Sequence, residues 1–204
     1  MILHDEIRDL VVEWTLREDV IEKDYVLSWL LWGIGSDPIL SEAWIFKGGT
    51  CLKKCFIETY RFSEDLDFTV LPNGPITPEE VTPLVENMLS RVYDESGIDF
   101  SIRLPRFRSR KDPGSTEGRI YYRGPRQSPG PPIQFFLLRA HIGHVKRLHL
   151  RQRAVLIADH RVGHHMSSIV APAKRPPIDR RIYTRVLGKK LRALITLRDG
   201  LYKI

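Results

Sequence analysis

One short run constrains this chain more than any other: Phe46-Lys47-Gly48-Gly49-Thr50, followed by Arg61-Phe62-Ser63-Glu64-Asp65-Leu66-Asp67. A Gly-Gly-hydroxyl turn precedes, by about a helix's length, two carboxylates separated by a single residue. Residues i and i+2 of a strand share a face, so Asp65 and Asp67 are expected side by side. Carboxylates that close repel each other unless a divalent cation lies between them. Mg²⁺ takes hard oxygen donors and completes its shell with water and phosphate oxygens. The glycine turn offers backbone N–H groups at a helix start, where phosphate is favoured. The run therefore predicts a site for a metal-bound nucleotide. A lone Asp-x-Asp is commonly a solvated turn, and a lone Gly-Gly commonly only a turn; order and spacing lift the pair above that reading.

The flanking patterns agree. Residues 43–46 (Ala-Trp-Ile-Phe) read as a short buried strand, and residues 50–60 carry Leu52, Cys55, Phe56 and Tyr60 at helical spacing. Residues 65–70 read as a second strand, ended by Pro72-Asn73-Gly74-Pro75. Strand, glycine turn, helix and Asp-x-Asp strand is the layout of a nucleotidyltransferase core. With Glu22-Lys23-Asp24-Tyr25-Val26-Leu27 placed before them in the expected order, these motifs resemble the AbiEii/AbiGii toxin-type nucleotidyltransferases over roughly the first 125 residues.

That resemblance implies an α+β fold, a nucleotidyltransferase core with a mixed β-sheet flanked by helices. It implies transfer of a nucleotide from an NTP with Mg²⁺ in a two-metal type of site, and a toxin paired with a cognate antitoxin. The implied acceptor is tRNA or another RNA, with protein hydroxyls as the other acceptor class. Asp65 and Asp67 are the implied metal ligands and catalytic acids, while Lys47, Gly48, Gly49, Thr50 and Ser63 surround the nucleotide. Near the C-terminus, residues 186–194 are similar to the family's Glu-Lys-Leu-Arg-Ala-Leu helix, which puts Lys190 at a phosphate-contacting lysine. Residues 198–203 resemble its Arg-Asp-Leu-Tyr-Asp ending and offer Asp199 as a further catalytic acid, although Gly200 intrudes and Lys203 replaces the last acid.

The resemblance departs at one strand. The fold commonly adds a third carboxylate from a neighbouring strand, in a pattern like Ile-Lys-x-Asp, able to hold metal and deprotonate the attacking hydroxyl. Here that strand reads Pro132-Ile133-Gln134-Phe135-Phe136-Leu137-Leu138, without an acid. A non-catalytic protein of the same fold, binding RNA or an antitoxin, is the alternative this leaves open.

Charge divides the chain. Residues 1–123 hold 15 Lys/Arg against 22 Asp/Glu, whereas residues 124–204 hold 17 against 3 and six of the seven histidines. An acidic metal-binding part beside a basic part suits an enzyme whose acceptor is a polyanion; a merely solvated basic surface would look the same. The expected division is a core over 1–138, N-terminal helices included, and a basic, mainly helical or irregular segment over 139–204. No long apolar run predicts a membrane span, and the acidic amphipathic start is unlike a secretory signal. Cys51 and Cys55, four apart, read as one packed helix face in a reducing cytoplasm rather than a disulfide or zinc site.

Elsewhere the periodicity predicts helices over residues 2–32, ended by Gly33-Ile34-Gly35-Ser36-Asp37-Pro38. Another helix opens at Thr77-Pro78-Glu79-Glu80 and runs to about Ser96. Residues 99–104 read as a half-buried strand, 106–111 as the basic arm of a solvated hairpin, 119–123 as its return, and 133–138 as a buried strand. Lys23 and Asp24 read as an exposed helical ion pair, and their match to the family motif offers a part in placing the active-site loop as the alternative.

Overall fold

The structure is a computed structural model that describes residues 3–56 and 62–140. Two helices open the chain, α1 (His4–Trp14) and α2 (Glu18–Ser36), followed by a short α3 (Pro38–Ala43). Strand β1 (Trp44–Lys47) leads into α4 (Gly48–Cys51), which continues as a π-helical turn, Leu52–Phe56. Then come β2 (Asp65–Val70), α5 (Pro78–Ser96), β3 (Arg106–Ser109), β4 (Ser115–Ile120) and β5 (Ile133–Arg139). The strands form one mixed sheet in the order β1-β2-β5-β4-β3. Among the described residues only β2 and β5 run parallel; the other three pairs are antiparallel. This is the α+β arrangement of sheet and flanking helices that the sequence predicts.

Alternation divides the sheet into two faces. Leu66, Phe68, Ile133, Phe135 and Leu137 are buried on one, where Phe68 stacks on Phe135 with ring centroids 6.0 Å apart. Asp65, Asp67, Gln134 and Phe136 alternate with them and remain partly or fully accessible. Helix α5 starts as its sequence predicts. Thr77 accepts from the Glu80 N–H while Glu80 Oε2 accepts from the Thr77 N–H at 3.0 Å, and Pro78 occupies the first turn. Gly97, at φ 71°, closes its end in the left-handed region.

Three expectations are corrected. Helix α2 does not stop at Gly33 but runs through it to Ser36. A Cβ at Gly33 would lie 2.5 Å from both Met88 Sδ and Val92 Cγ2, so this glycine permits close α2–α5 packing instead of breaking the helix. Residues 99–104 are not a strand: Asp99 makes a single bridge to Arg123, its carboxylate accepts from Ser101, and the chain turns there, leaving Leu104 70% exposed. An Asx-type turn outcompetes the alternating apolar pattern. The basic run itself forms β3, and its return strand begins earlier than expected, at Ser115.

The turn after β2 is fixed from several sides. Arg139, at the end of β5, donates to the carbonyls of Leu71, Pro72 and Gly74. The Thr116 hydroxyl donates to Ile76 O at 2.6 Å, and Trp44 Nε1 to Pro75 O at 3.0 Å. These bonds keep β2 in register between β1 and β5 and thereby fix its acidic end.

In β4, Gly118 lies beneath the Phe107 ring; a Cβ there would come 2.2 Å from Phe107 Cε1. Phe107 in turn meets Phe135 edge-on at 6.4 Å. Gly118→Ala is expected to destabilise the protein by about 1–3 kcal/mol, the range for overpacking a filled core. Urea denaturation checks this, and an unchanged midpoint would contradict the packing described.

Candidate active site

Asp65 and Asp67 occupy the first half of β2, separated by the fully buried Leu66, so both carboxylates project from the same face. Register sets their neighbours: Lys47 of β1 lies opposite Asp67, and on the other flank Gln134 and Phe136 of β5 pair with Asp65 and Asp67. Gly48 follows Lys47 at φ 81°, and a Cβ placed on it would be 2.1 Å from Asp67 Oδ2. Glycine is thus required twice here, by its dihedral and by the approach of the carboxylate. The Gly-Gly turn and the Asp-x-Asp strand, apart in sequence, meet at this contact.

Thr50 is almost wholly buried, and its hydroxyl donates to the Asp65 carbonyl at 2.6 Å. This bond tethers the start of β2 to α4, so the hydroxyl expected at a phosphate is engaged with backbone. Lys47 and Gly49 are half-buried and Gly48 is exposed at the head of α4; Ser63 lies in the irregular segment entering β2. Lys190 and Asp199 lie outside the described residues.

Both carboxyls of the pair sit in surroundings that oppose their charge. Burial pushes the Asp65 carboxyl above the ordinary carboxylate range, opposed by Lys23 and reinforced by Glu64. Burial also raises Asp67, helped by the charge of Asp65 and opposed by Lys47. Two half-buried carboxylates on one strand face, the second disfavoured by the charge of the first, suit a hard divalent ion. Among the described residues no third Asp, Glu, His or Cys joins them in a metal-binding group.

The partners that hold this site are not evident from the sequence. Lys23 and Asp24 are not an exposed pair; each is 5% exposed, on the stretch of α2 that is buried on all sides. Lys23 Nζ donates to Glu64 Oε2 at 2.8 Å, just before Asp65. Asp24 Oδ2 accepts from Lys54 Nζ at 2.6 Å, and Lys54 also donates to Asp24 O at 3.1 Å and Ser28 Oγ at 2.8 Å. Glu22, fully buried, accepts from the Arg126 N–H at 2.9 Å and lies 3.6 Å from its guanidinium. Burial raises the Glu22 carboxyl, against the pull of Arg126. Three successive charges on one helix thus anchor three separate segments. A charged triplet within an otherwise apolar helix was the signal for it.

Cys51 and Cys55 are half-buried thiols. The Cys51 thiol is pushed well up, first by its hydrogen bond with Cys55 and then by burial, which makes it a poor nucleophile.

A mixed sheet presenting paired carboxylates beside a glycine turn is the framework of a nucleotidyltransferase. The model of the family described as "Nucleotidyl transferase AbiEii toxin, Type IV TA system" matches residues 29–153, and the chain belongs to that family. The class of enzyme is therefore a nucleotidyltransferase of a toxin–antitoxin system, for which an antitoxin partner is implied. Two solved structures from Helicobacter pylori are distantly similar. JHP933 is 15% identical, with 74% of this chain and 68% of that one covered at a TM-score of 0.43. A second protein, assigned in its description to the nucleotidyltransferases, is 15% identical, with 93% and 100% covered at a TM-score of 0.40. No curated protein matches the sequence. Among the described residues no helix is long and apolar enough to cross a membrane.

Two outcomes follow. Because the folded Asp65 and Asp67 titrate above their unfolded values, their contribution to stability is complete below the unfolded carboxylate range, near pH 4, and is lost as pH rises through the raised folded values. Asp67→Asn should therefore raise the metal-free melting midpoint at pH 7. Mg²⁺ at 100 times its Kd should stabilise the wild type by about 2.7 kcal/mol and leave the variant unmoved. Equal shifts in both, read by thermal denaturation, would refute this assignment of the metal. Lys54→Met, by removing the cation beside buried Asp24, should cost about 3–5 kcal/mol in urea denaturation.

Proposed function

We propose that this protein transfers a nucleotide from a Mg²⁺-bound NTP to the 3′-hydroxyl of an RNA, with tRNA the leading acceptor class. The observation that carries the reading is the contact between Gly48 and Asp67, which joins a phosphate-receiving turn to a pair of metal-binding carboxylates. Asp65 and Asp67 hold the ion through one face of β2. Bound there, Mg²⁺ would offset charge on the triphosphate and on the departing pyrophosphate. The backbone N–H groups at Gly48 and Gly49 lie on the β1 flank, where the terminal phosphates are received. Lys47, opposite Asp67 on the same flank, adds a positive charge toward them. Thr50 keeps the turn and the strand at fixed separation through its bond to Asp65 O. By resemblance to the family, Lys190 adds a further contact to the phosphates.

A second reading, nucleotide and RNA binding without turnover, is favoured by Phe136. It stands in register with Asp67 on the parallel neighbour strand, where the fold's third carboxylate would sit. The next acid along this row, Glu117, is one strand farther away and ion-paired with Arg108 and Arg110.

Labelled-NTP transfer onto total tRNA with Mg²⁺ separates the two. Under the first reading the wild type labels RNA, and both chelation and the Asp65→Ala/Asp67→Ala variant abolish the signal. Under the second the wild type is inert while still binding nucleotide, and Phe136→Asp introduces measurable transfer. Labelling of protein instead of RNA would reject RNA as the acceptor.

A further inference from the structure

The sheet register draws a line of side chains away from the acidic pair. Asp65 of β2 pairs with Gln134 of β5, Gln134 with Arg119 of β4, and Arg119 with Arg106 of β3. Paired residues share a face, so all four project from the side that carries the site. Gln134, Arg119 and Arg106 are exposed. At about 4.8 Å between strands, Arg119 and Arg106 stand roughly 10 and 14 Å from Asp65 along this line.

Arg106 and Arg119 are unusual among the arginines here. Arg108 and Arg110 meet Glu117, Arg123 meets Asp99, Arg126 meets Glu18 and Glu22, and Arg139 holds carbonyls. Arg106 and Arg119 have neither an ion pair nor a hydrogen-bonded side-chain partner among the described residues. They are also directly opposite one another across a strand pair, an arrangement of like charges that opposes folding. A phosphodiester between two guanidinium groups relieves that repulsion and uses their fork geometry.

The side on which they lie matters equally. The glycine turn and Lys47 belong to β1, on one flank of Asp65 and Asp67, whereas the arginines belong to β4 and β3, on the other. Displacement at a phosphorus atom is in line, so attacking and leaving oxygens lie on opposite sides. With the triphosphate on the β1 flank, the acceptor must approach from the β5-β4-β3 flank. We propose that Arg119 and Arg106 bind the sugar–phosphate backbone of the acceptor RNA and guide its 3′ end across Gln134 to Asp65. This rests on the RNA-acceptor reading above and adds the surface that receives the strand.

The test uses the full chain with Arg106→Gln/Arg119→Gln, a change that removes like-charge repulsion and should leave the melting midpoint unchanged or higher. Arg8→Gln, on the exposed face of α1, controls for lost charge at a distance. Binding of 5′-labelled total tRNA is measured by fluorescence anisotropy across a salt series, and Mg-NTP binding by calorimetry. The double variant should bind tRNA about tenfold more weakly, with a salt slope shallower by about one to two, while Arg8→Gln stays near wild type. Mg-NTP affinity should not change. Wild-type tRNA affinity in the double variant, beside intact transfer to RNA by the wild type, would overturn the surface and leave the reading standing. Loss of Mg-NTP affinity would reassign the arginines to the nucleotide and overturn it too. A wild type that binds no tRNA and labels protein instead would overturn both.

Discussion

Everything at this site depends on holding two carboxylates together against their own repulsion, in a place that burial makes still less favourable for charge. A strand alone cannot do this, since its first residues are the easiest to fray. The fold fastens that end from three directions. Thr50 bonds the Asp65 carbonyl, Gly48 lets the turn close onto Asp67, and Lys23 reaches Glu64 beside them. Lys23 is also the cation that most directly favours ionised Asp65. Helix α2 therefore acts as a frame: its buried charges Glu22, Lys23 and Asp24 are each met by a different segment, and the one reached by Lys23, at Glu64, adjoins Asp65. Buried ion pairs add little net stability compared with apolar packing, but breaking one is costly. Such pairs serve to define position, and that is what a metal-binding strand end needs.

Much of this was legible in the sequence because local chemistry dictated it. The Asp-x-Asp alternation, the glycine turn, the proline and capping box of α5 and the apolar run of β5 are patterns of neighbouring residues, and each element formed where its pattern lay. The misses at Gly33 and at Lys23 and Asp24 involve partners distant in sequence. Gly33 reads as a helix end until Met88 and Val92 are seen against it. Lys23 and Asp24 read as a solvated pair because Glu64 and Lys54, 41 and 30 residues away, cannot be located from spacing. Residues 99–104 alternate like a strand, yet the Asp99 side chain offers its own backbone a turn, and a local hydrogen bond prevails over periodicity.

The candidate residues divide in the same manner. Asp65, Asp67, Gly48 and Gly49 are brought together as their order implied. Thr50 belongs to the site but faces backbone, a distinction that residue type cannot make because the same hydroxyl serves either purpose. Gln134 and Phe136 were visible as a strand without acids. Their significance comes only from the register, which sets Phe136 against Asp67 rather than elsewhere along the sheet.

That register bears on what the site can do. An acid at position 136 would bring a third negative charge beside two carboxylates already raised by burial. Like charges gathered in a half-buried place oppose one another. Phenylalanine avoids that opposition and leaves an apolar wall with the Arg110 guanidinium 5.8 Å from its ring centroid. On the proposed reading, a side chain without an acid at 136 offers no group there to take a proton from an attacking hydroxyl. Binding of a metal–nucleotide complex would draw on Asp65, Asp67 and the glycine turn, which position 136 leaves untouched. Activation of the acceptor would draw on the β5 side, where Phe136 stands in register with Asp67. Binding and turnover would then depend on different strands of one sheet, so that a single side chain could alter the second while leaving the first.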